Sequence, residues 1–472
     1  MAGEPDFATI LVAFLAVSLI ITFLIKKFTK QPTFWIASMI KTEKPIKYFD
    51  AFSKVGKPLE IFSEIGLVIG FGAIAADWVY GRGKKPIDRI AIFIFSASVL
   101  SSSLYIIDWL LGGPFSKSPL SKDFFLPIVL IFGIFGFAGF GIAMLGLQAY
   151  EIIAKYMLGL KACPGVAPLI PGVEIPGVPI TPPIHAWLSL FIILVIHEAM
   201  HGILARQQGI KVKSTGVLLL GFLPIGGFVE PDEKQLAASD TKKQVRVYSA
   251  GATANMAAFG LSILFLLISL TAIGFIFGPW AASVQEQSSI GVKIIAVNEK
   301  TEYCGNTYLN PAFGVFDQNM EITHINGKST KNVGVVQGEI AANRFKAITF
   351  GLLKGDSDIN VTLTPNELGS YGFSIENIAN PSYTIPEDYK IYSSLVGIFI
   401  EFIYWLILLN FLIALVNFLP FAIFDGGRIA PLVYAPYLTS FLSEEEARNF
   451  VAKATMIIIL ALFIINALPL LI

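Results

Sequence analysis

Eight apolar stretches run through this chain, near positions 10–25, 61–79, 90–111, 124–149, 184–206, 247–277, 392–419 and 452–472. A backbone in lipid must satisfy its own hydrogen bonds, so each reads as a helix, and seven reach the roughly 20 residues a crossing needs. The first follows an acidic start, is closed by Lys26-Lys27 and has no small-residue cleavage site, so it reads as a retained span. One or two such stretches fit buried helices of a soluble protein; eight do not. Composition agrees. Only 14% of the 472 residues are charged, against roughly 25% in soluble domains, and mean hydropathy is +0.69. This argues against an ordinary cytosolic enzyme. Lys plus Arg equals Asp plus Glu at 34 each, so no net field recruits nucleic acid. The two cysteines, Cys163 and Cys304, permit one disulfide and form no cysteine metal motif.

Basic residues are enriched on the cytoplasmic side of short loops. With the N-terminus outside, segment 26–57 with eight lysines and segment 206–246 with seven basic residues face inward, as does 112–123 with Lys117 and Lys122. Loop 80–89, with four basic residues, and 150–183, with Lys155 and Lys161, then face outward, so the bias holds in sum but not loop by loop. Seven prolines between Pro164 and Pro183 predict an extended or turning connector. From about 286 to 385 the chain regains charge and polar residues, and the alternation in 292–298, 320–327 and 358–365 predicts strands of one small water-facing domain. Asn360-Val361-Thr362 within it fits a glycosylation acceptor. Gly66, Gly70, Gly133, Gly136, Gly139 and Gly141 suggest close helix packing. Glu64, Asp77 and Asp108 lie near membrane boundaries, where they either reach the interface or mark a polar path.

Two of the four histidines stand as His197-Glu198-Ala199-Met200-His201 near the end of the 184–206 stretch. A helix puts positions i and i+4 on one face, so both imidazoles can bind one Zn²⁺ while Glu198 serves as general base. Three ionisable side chains within five positions of a lipid-embedded helix are costly unless ion, proton or metal chemistry needs them. Zinc requires a third protein ligand. His185 is about 18 Å away along the helix, and His324 falls in the water-facing segment. A carboxylate is the better candidate. Asp425, beside Pro420 and Gly426-Gly427 at the end of the seventh stretch, has the backbone freedom to turn toward a metal.

These motifs resemble the site-2 protease family of intramembrane zinc metalloproteases. The likeness includes His197–His201, a glycine-rich segment at Pro224–Val229, a G-x-x-x-N motif at Gly251–Asn255, and N-x-x-P with D-G at Asn417, Pro420, Asp425 and Gly426. Phe424 stands where the family usually has Leu. The resemblance implies one Zn²⁺ per chain held by His197, His201 and Asp425, with Glu198 as base. It also implies Asn255 and Asn417 as substrate or oxyanion contacts, and Gly226 and Gly227 as a substrate-positioning segment. Either asparagine can instead bridge helices, and the glycines can form a plain re-entrant turn. The 286–385 segment occupies the place of the family's PDZ-like domain, with Pro311–Gly314 and Asn319–Gly327 resembling its turn and strand. It implies peptide capture by strand addition or filtering of bulky substrates.

The expected fold is an all-α polytopic membrane protein of about eight transmembrane helices, with a small β-rich PDZ-like domain before the seventh. Its parts are a four-span extension (1–160), a connector (161–183), a catalytic core in two pieces (184–285 and 386–472) and the insert (286–385). The expected activity is hydrolysis of peptide bonds in or near transmembrane segments, on a substrate cut beforehand by another protease or uncut. The lipid bilayer is the second partner. The active site would lie toward the cytoplasm and the insert on the opposite side. Rival readings are an ion- or metal-coupled transporter, favoured by the four extra spans, and a silent scaffold.

Overall fold

The computed structural model describes residues 7–29, 31–110, 122–175, 178, 180–221, 223–354 and 357–471. In chain order come α1 (Phe7–Thr29), strands β1 (Thr33–Phe34) and β2 (Ala37–Thr42), α2 (Ile46–Ser53), α3 (Lys57–Ala76, continued by a wider turn to Gly81), α4 (Pro86–Leu110) and α5 (Lys122–Met157). Next are α6 (Ala186–Gln207), β3 (Val212–Leu220), β4 (Leu223–Pro231), α7 (Glu233–Ala237) and the 48-residue α8 (Thr241–Ser288). The insert holds β5 (Ser289–Val297), β6 (Lys300–Tyr303), β7 (Asn306–Leu309), β8 (Glu321–Ile325), β9 (Lys328–Ser329), α9 (Val333–Ala342), β10 (Ile348–Lys354), β11 (Ser357–Leu363) and β12 (Phe373–Ala379). Helices α10 (Glu387–Phe418), α11 (Asp425–Tyr434) and α12 (Glu444–Ala467) complete the chain. Among the described residues, seven helices are long and apolar enough to cross a membrane: α3 to α6, α8, α10 and α12.

Two of the seven do not run straight. The sequence reading takes 61–79 and 124–149 as crossings, but α3 breaks at Gly72 (φ 71°, ψ −157°) and α5 at Gly136 (φ 62°, ψ −152°), backbone conformations open only to glycine. A straight α3 would hold Glu64 and Val79 about 22 Å apart. Instead both reach the first two turns of α8, where Arg246 pairs with Glu64 (2.6 Å) and Lys242 donates to the Val79 carbonyl (3.0 Å). In α5 the rings of Phe124 and Tyr150 lie 5.9 Å apart, whereas 26 residues of straight helix span about 39 Å. Each helix is thus a hairpin with glycine at its apex. The apices meet: a Cβ on Gly72 would lie 2.3 Å from the Ile134 carbonyl oxygen, and one on Gly136 would lie 2.4 Å from that of Ile69. Broken backbone is tolerated at membrane depth only where protein covers it, and half of the apolar stretch of α3 and of α5 is buried.

This corrects the loop assignment. The arms of α3 both end beside the start of α8, so loop 80–89 lies at the same end of the molecule as 57–64 and 241–246. Helix α4 runs away from that end alongside the first arm of α5, with Tyr105 against Phe125. Lys122 therefore sits at the opposite end from that expected; Lys117 is outside the described residues. Glycine packing is as the sequence suggests, with Gly66 against Thr253 of α8 and Gly70 against the Phe418 ring.

Strands β1 to β4 form one antiparallel sheet in that order, in which β2 from the N-terminal extension pairs along β3 (Ala37 opposite Leu220, Thr42 opposite Thr215). The insert sits at the far end of α8. Its sheet runs β11-β10-β8-β5-β12 around a core including Ile294, Ile322, Phe350 and Leu352. The strands expected near 292–298, 320–327 and 358–365 are β5, β8 and β11, and Asn326-Gly327, both at positive φ, make the tight turn from β8 to β9. Cys163 and Cys304 are joined as a disulfide with Cα atoms 4.8 Å apart. Beside it the Asn306 side chain accepts from the Lys161 N–H (3.1 Å) and donates to its carbonyl (2.6 Å). The β6–β7 turn is thereby stapled to the connector that follows α5.

Candidate active site

Helix α6 supplies His197, Glu198 and His201, and α11 supplies Asp425 at its first residue. After α10 ends at Phe418, the chain turns tightly through Pro420. A Cβ at Gly426 would lie 2.4 Å from the Leu419 carbonyl oxygen, and one at Gly427 would lie 2.3 Å from that of Phe421. Two glycines therefore let α11 start against the backbone it has just left, aiming Asp425 at α6. The Nε2 atoms of His197 and His201 are 3.1 Å apart. Asp425 Oδ2 lies 3.3 Å from the first and 3.2 Å from the second. His185, 3.7 Å from Glu401, and His324, exposed on β8, stand apart from this cluster.

The triangle fits a zinc ion on three counts. Its edges are those of a tetrahedron with metal bonds of about 2.0 Å, the length zinc makes to imidazole and carboxylate. Asp425 Oδ2 is buried without a hydrogen-bond partner, as an atom reserved for a cation would be. And Gly251 of α8 keeps the space open, since a Cβ there would fall 2.4 Å from His201 Nε2 and 2.5 Å from His197 Nε2.

The surrounding bonds set the tautomers. His201 Nδ1 lies 2.8 Å from the Val247 carbonyl oxygen, so its proton sits there and Nε2 keeps its lone pair. His197 Nδ1 faces the Asn255 amide at 3.1 Å. The amide atom placed against Nδ1 is Nδ2; a ligating His197, protonated at Nδ1, would require the amide turned so that Oδ1 faces it. Asn255 is fully buried and contacts His197 of α6. Asn417 donates to the Ile413 carbonyl of its own helix (2.9 Å).

Glu198 lies beneath β4. Its Oε2 accepts the Val229 N–H (2.9 Å), and Gly227 is tight above it, with a Cβ position 2.9 Å from Glu198 Cγ. A cleft of ≈190 Å³ opens at this point, walled by Glu198, Leu194 and Phe191 of α6, by Gly226 and Gly227 of β4, and by Thr42, Pro45 and Phe49. The last three come from the N-terminal extension. Helix α2 is seated there by Phe49 against Gly202 and by Asp50 accepting from Arg206 (2.5 Å). The sequence reading missed Val229, Val247 and the 42–49 wall. Two act through the backbone, which leaves no side-chain signature; only the bare Gly251 hinted that something approaches α8 closely.

Over 252 residues the chain is 29% identical to an uncharacterized protein of Methanocaldococcus jannaschii, an alignment covering 53% of this chain and 57% of that protein. The chain thus spans somewhat over half the length of that relative. Residues 185–462, which include every side chain of the metal cluster, match the family model of peptidase family M50. The chain belongs to peptidase family M50, the site-2 protease family.

Proposed function

We propose that this protein is an intramembrane zinc metalloprotease that hydrolyses peptide bonds in or beside the transmembrane segments of other membrane proteins. The observation that carries the proposal is the His197–His201–Asp425 triangle, with 3.1–3.3 Å edges and each imidazole fixed through Nδ1. Zinc held there supplies Lewis acidity, polarising a peptide carbonyl and lowering the pKa of water. Glu198 accepts a proton from the attacking water and delivers it to the leaving amine; Val229 holds one carboxylate oxygen and leaves the other for that transfer. Strand β4 offers an edge along which a locally unwound substrate can pair, with Gly226 and Gly227 letting its backbone approach Glu198. Asn417 is the candidate contact for the substrate carbonyl, and Asn255 acts through His197.

Within a bilayer, α1 completes eight embedded elements: six crossings (α1, α4, α6, α8, α10, α12) and two hairpins entering from opposite faces. Segments 26–57, 80–89 and 206–246, with eight, four and seven basic residues, then all lie on the metal side, supporting a cytoplasmic active site. The insert would face the other compartment, where the Cys163–Cys304 disulfide is at home. As a PDZ-like domain it would sense or filter substrates, including products of an earlier cleavage. Metal analysis of purified protein should give one zinc per chain, lost in His201→Ala and in Asp425→Ala. Zinc retained in both variants would overturn the ligand set.

A further inference from the structure

The family match begins at residue 185, which leaves the α3 hairpin unassigned. Yet this hairpin packs against the helix that carries the third metal ligand. Leu67, Phe71, Ala75, Trp78 and Val79 share one buried core with Phe418 of α10 and with Ile429, Ala430 and Val433 of α11. The Phe71 ring meets Phe418 edge-on at 6.2 Å and Tyr434 at 5.8 Å. The hairpin is a firm anchor, because its apex is pressed on the backbone of the α5 apex and its first arm is tied to α8 through Glu64 and Arg246.

A polar clasp adds direction to this packing. Asp77, 4% exposed, receives both Nε (2.9 Å) and Nη2 (2.5 Å) of Arg89 from α4. The Tyr437 hydroxyl makes a third contact to the same carboxylate, 2.7 Å from Oδ2, and lies 3.1 Å from the Ile74 carbonyl. Tyr437 ends the tight turn that directly continues α11. Helix α11, ten residues or about 15 Å long, is therefore held at one end by its glycine turn beside Asp425 and at the other by Asp77. A short rod fixed at both ends cannot tilt. Released at the Tyr437 end, it can swing the carboxylate relative to the two imidazoles.

We propose that Asp77, oriented by Arg89, is a positioning residue for the metal site: through Tyr437 it sets the tilt of α11 and so the place of Asp425 over His197 and His201. This rests on the zinc reading above. The test measures the zinc dissociation constant of full-length protein in detergent by competition with a chromogenic chelator, well below the melting temperature, alongside the visible absorption of the cobalt-substituted protein. Tyr437→Phe removes one oxygen and leaves the Asp77–Arg89 pair intact, so it serves even if Asp77→Asn fails to fold. Expected is a zinc affinity lowered about 10-fold, at the lower edge of what lost outer-shell support costs, together with an altered cobalt spectrum. Asp77→Glu, which keeps the charge, should recover part of both. Folded Tyr437→Phe protein with wild-type zinc affinity and cobalt spectrum would overturn the proposal while leaving the zinc site standing. Failure of the wild type to bind zinc would instead sink the reading on which it rests.

Discussion

Replacing Glu198 by glutamine is expected to lower peptide-bond cleavage by about 10²- to 10⁴-fold, the usual contribution of a positioned general base, with zinc content unchanged. The two effects separate because Glu198 lies outside the ligand triangle, with its carboxylate against β4. Glutamine keeps an oxygen able to accept the Val229 N–H, so the side chain should stay in place and lose only its basicity. Turnover of a transmembrane substrate at matched zinc loading checks this. Cleavage equal to wild type would remove Glu198 from the mechanism. Loss of zinc in this variant would mean that the carboxylate helps hold the metal.

The second large effect is expected at a residue with no side chain. Gly251→Ala places a methyl 2.4–2.5 Å from both Nε2 atoms, in the volume a metal needs. The helix cannot easily back away, since Ser249, Ala250, Ala252 and Asn255 around it are fully buried. Alanine favours an interior helix position over glycine by roughly 0.5–1 kcal/mol, so the helix itself should not suffer. The expected result is a protein with unchanged helical circular dichroism, zinc reduced from one per chain to near zero, and no cleavage. Full zinc occupancy in Gly251→Ala would show that the metal does not sit between these histidines.

The three members of the cluster that could hold a metal were readable in the sequence because each has a local signature: i, i+4 histidines on an apolar helix, and an aspartate followed by two glycines after Pro420. The insert was readable because polarity returns abruptly at 286 and the strands alternate. The two hairpins were not. Hydropathy counts apolar residues and cannot distinguish a helix that crosses from one that turns at its midpoint, and Gly72 and Gly136 stand among other glycines that only pack. A clue was present in loop 80–89, whose Arg82, Lys84, Lys85 and Arg89 violate the charge bias if 57–81 crosses and obey it if the segment returns. The 42–49 wall is not legible in the sequence for another reason. Its contribution depends on β2 pairing with β3 across some 175 positions, a long-range register that no local pattern encodes.

Cleavage itself is the most direct test. The protein would be reconstituted in liposomes with a single-span substrate, incubated with and without a zinc chelator, and the products read by mass spectrometry. The account predicts new termini within or beside the substrate's transmembrane segment, lost with chelator and restored by one equivalent of zinc. A substrate left intact by zinc-loaded wild-type protein, together with zinc- or proton-dependent flux across the same liposomes, would contradict it in favour of a transporter.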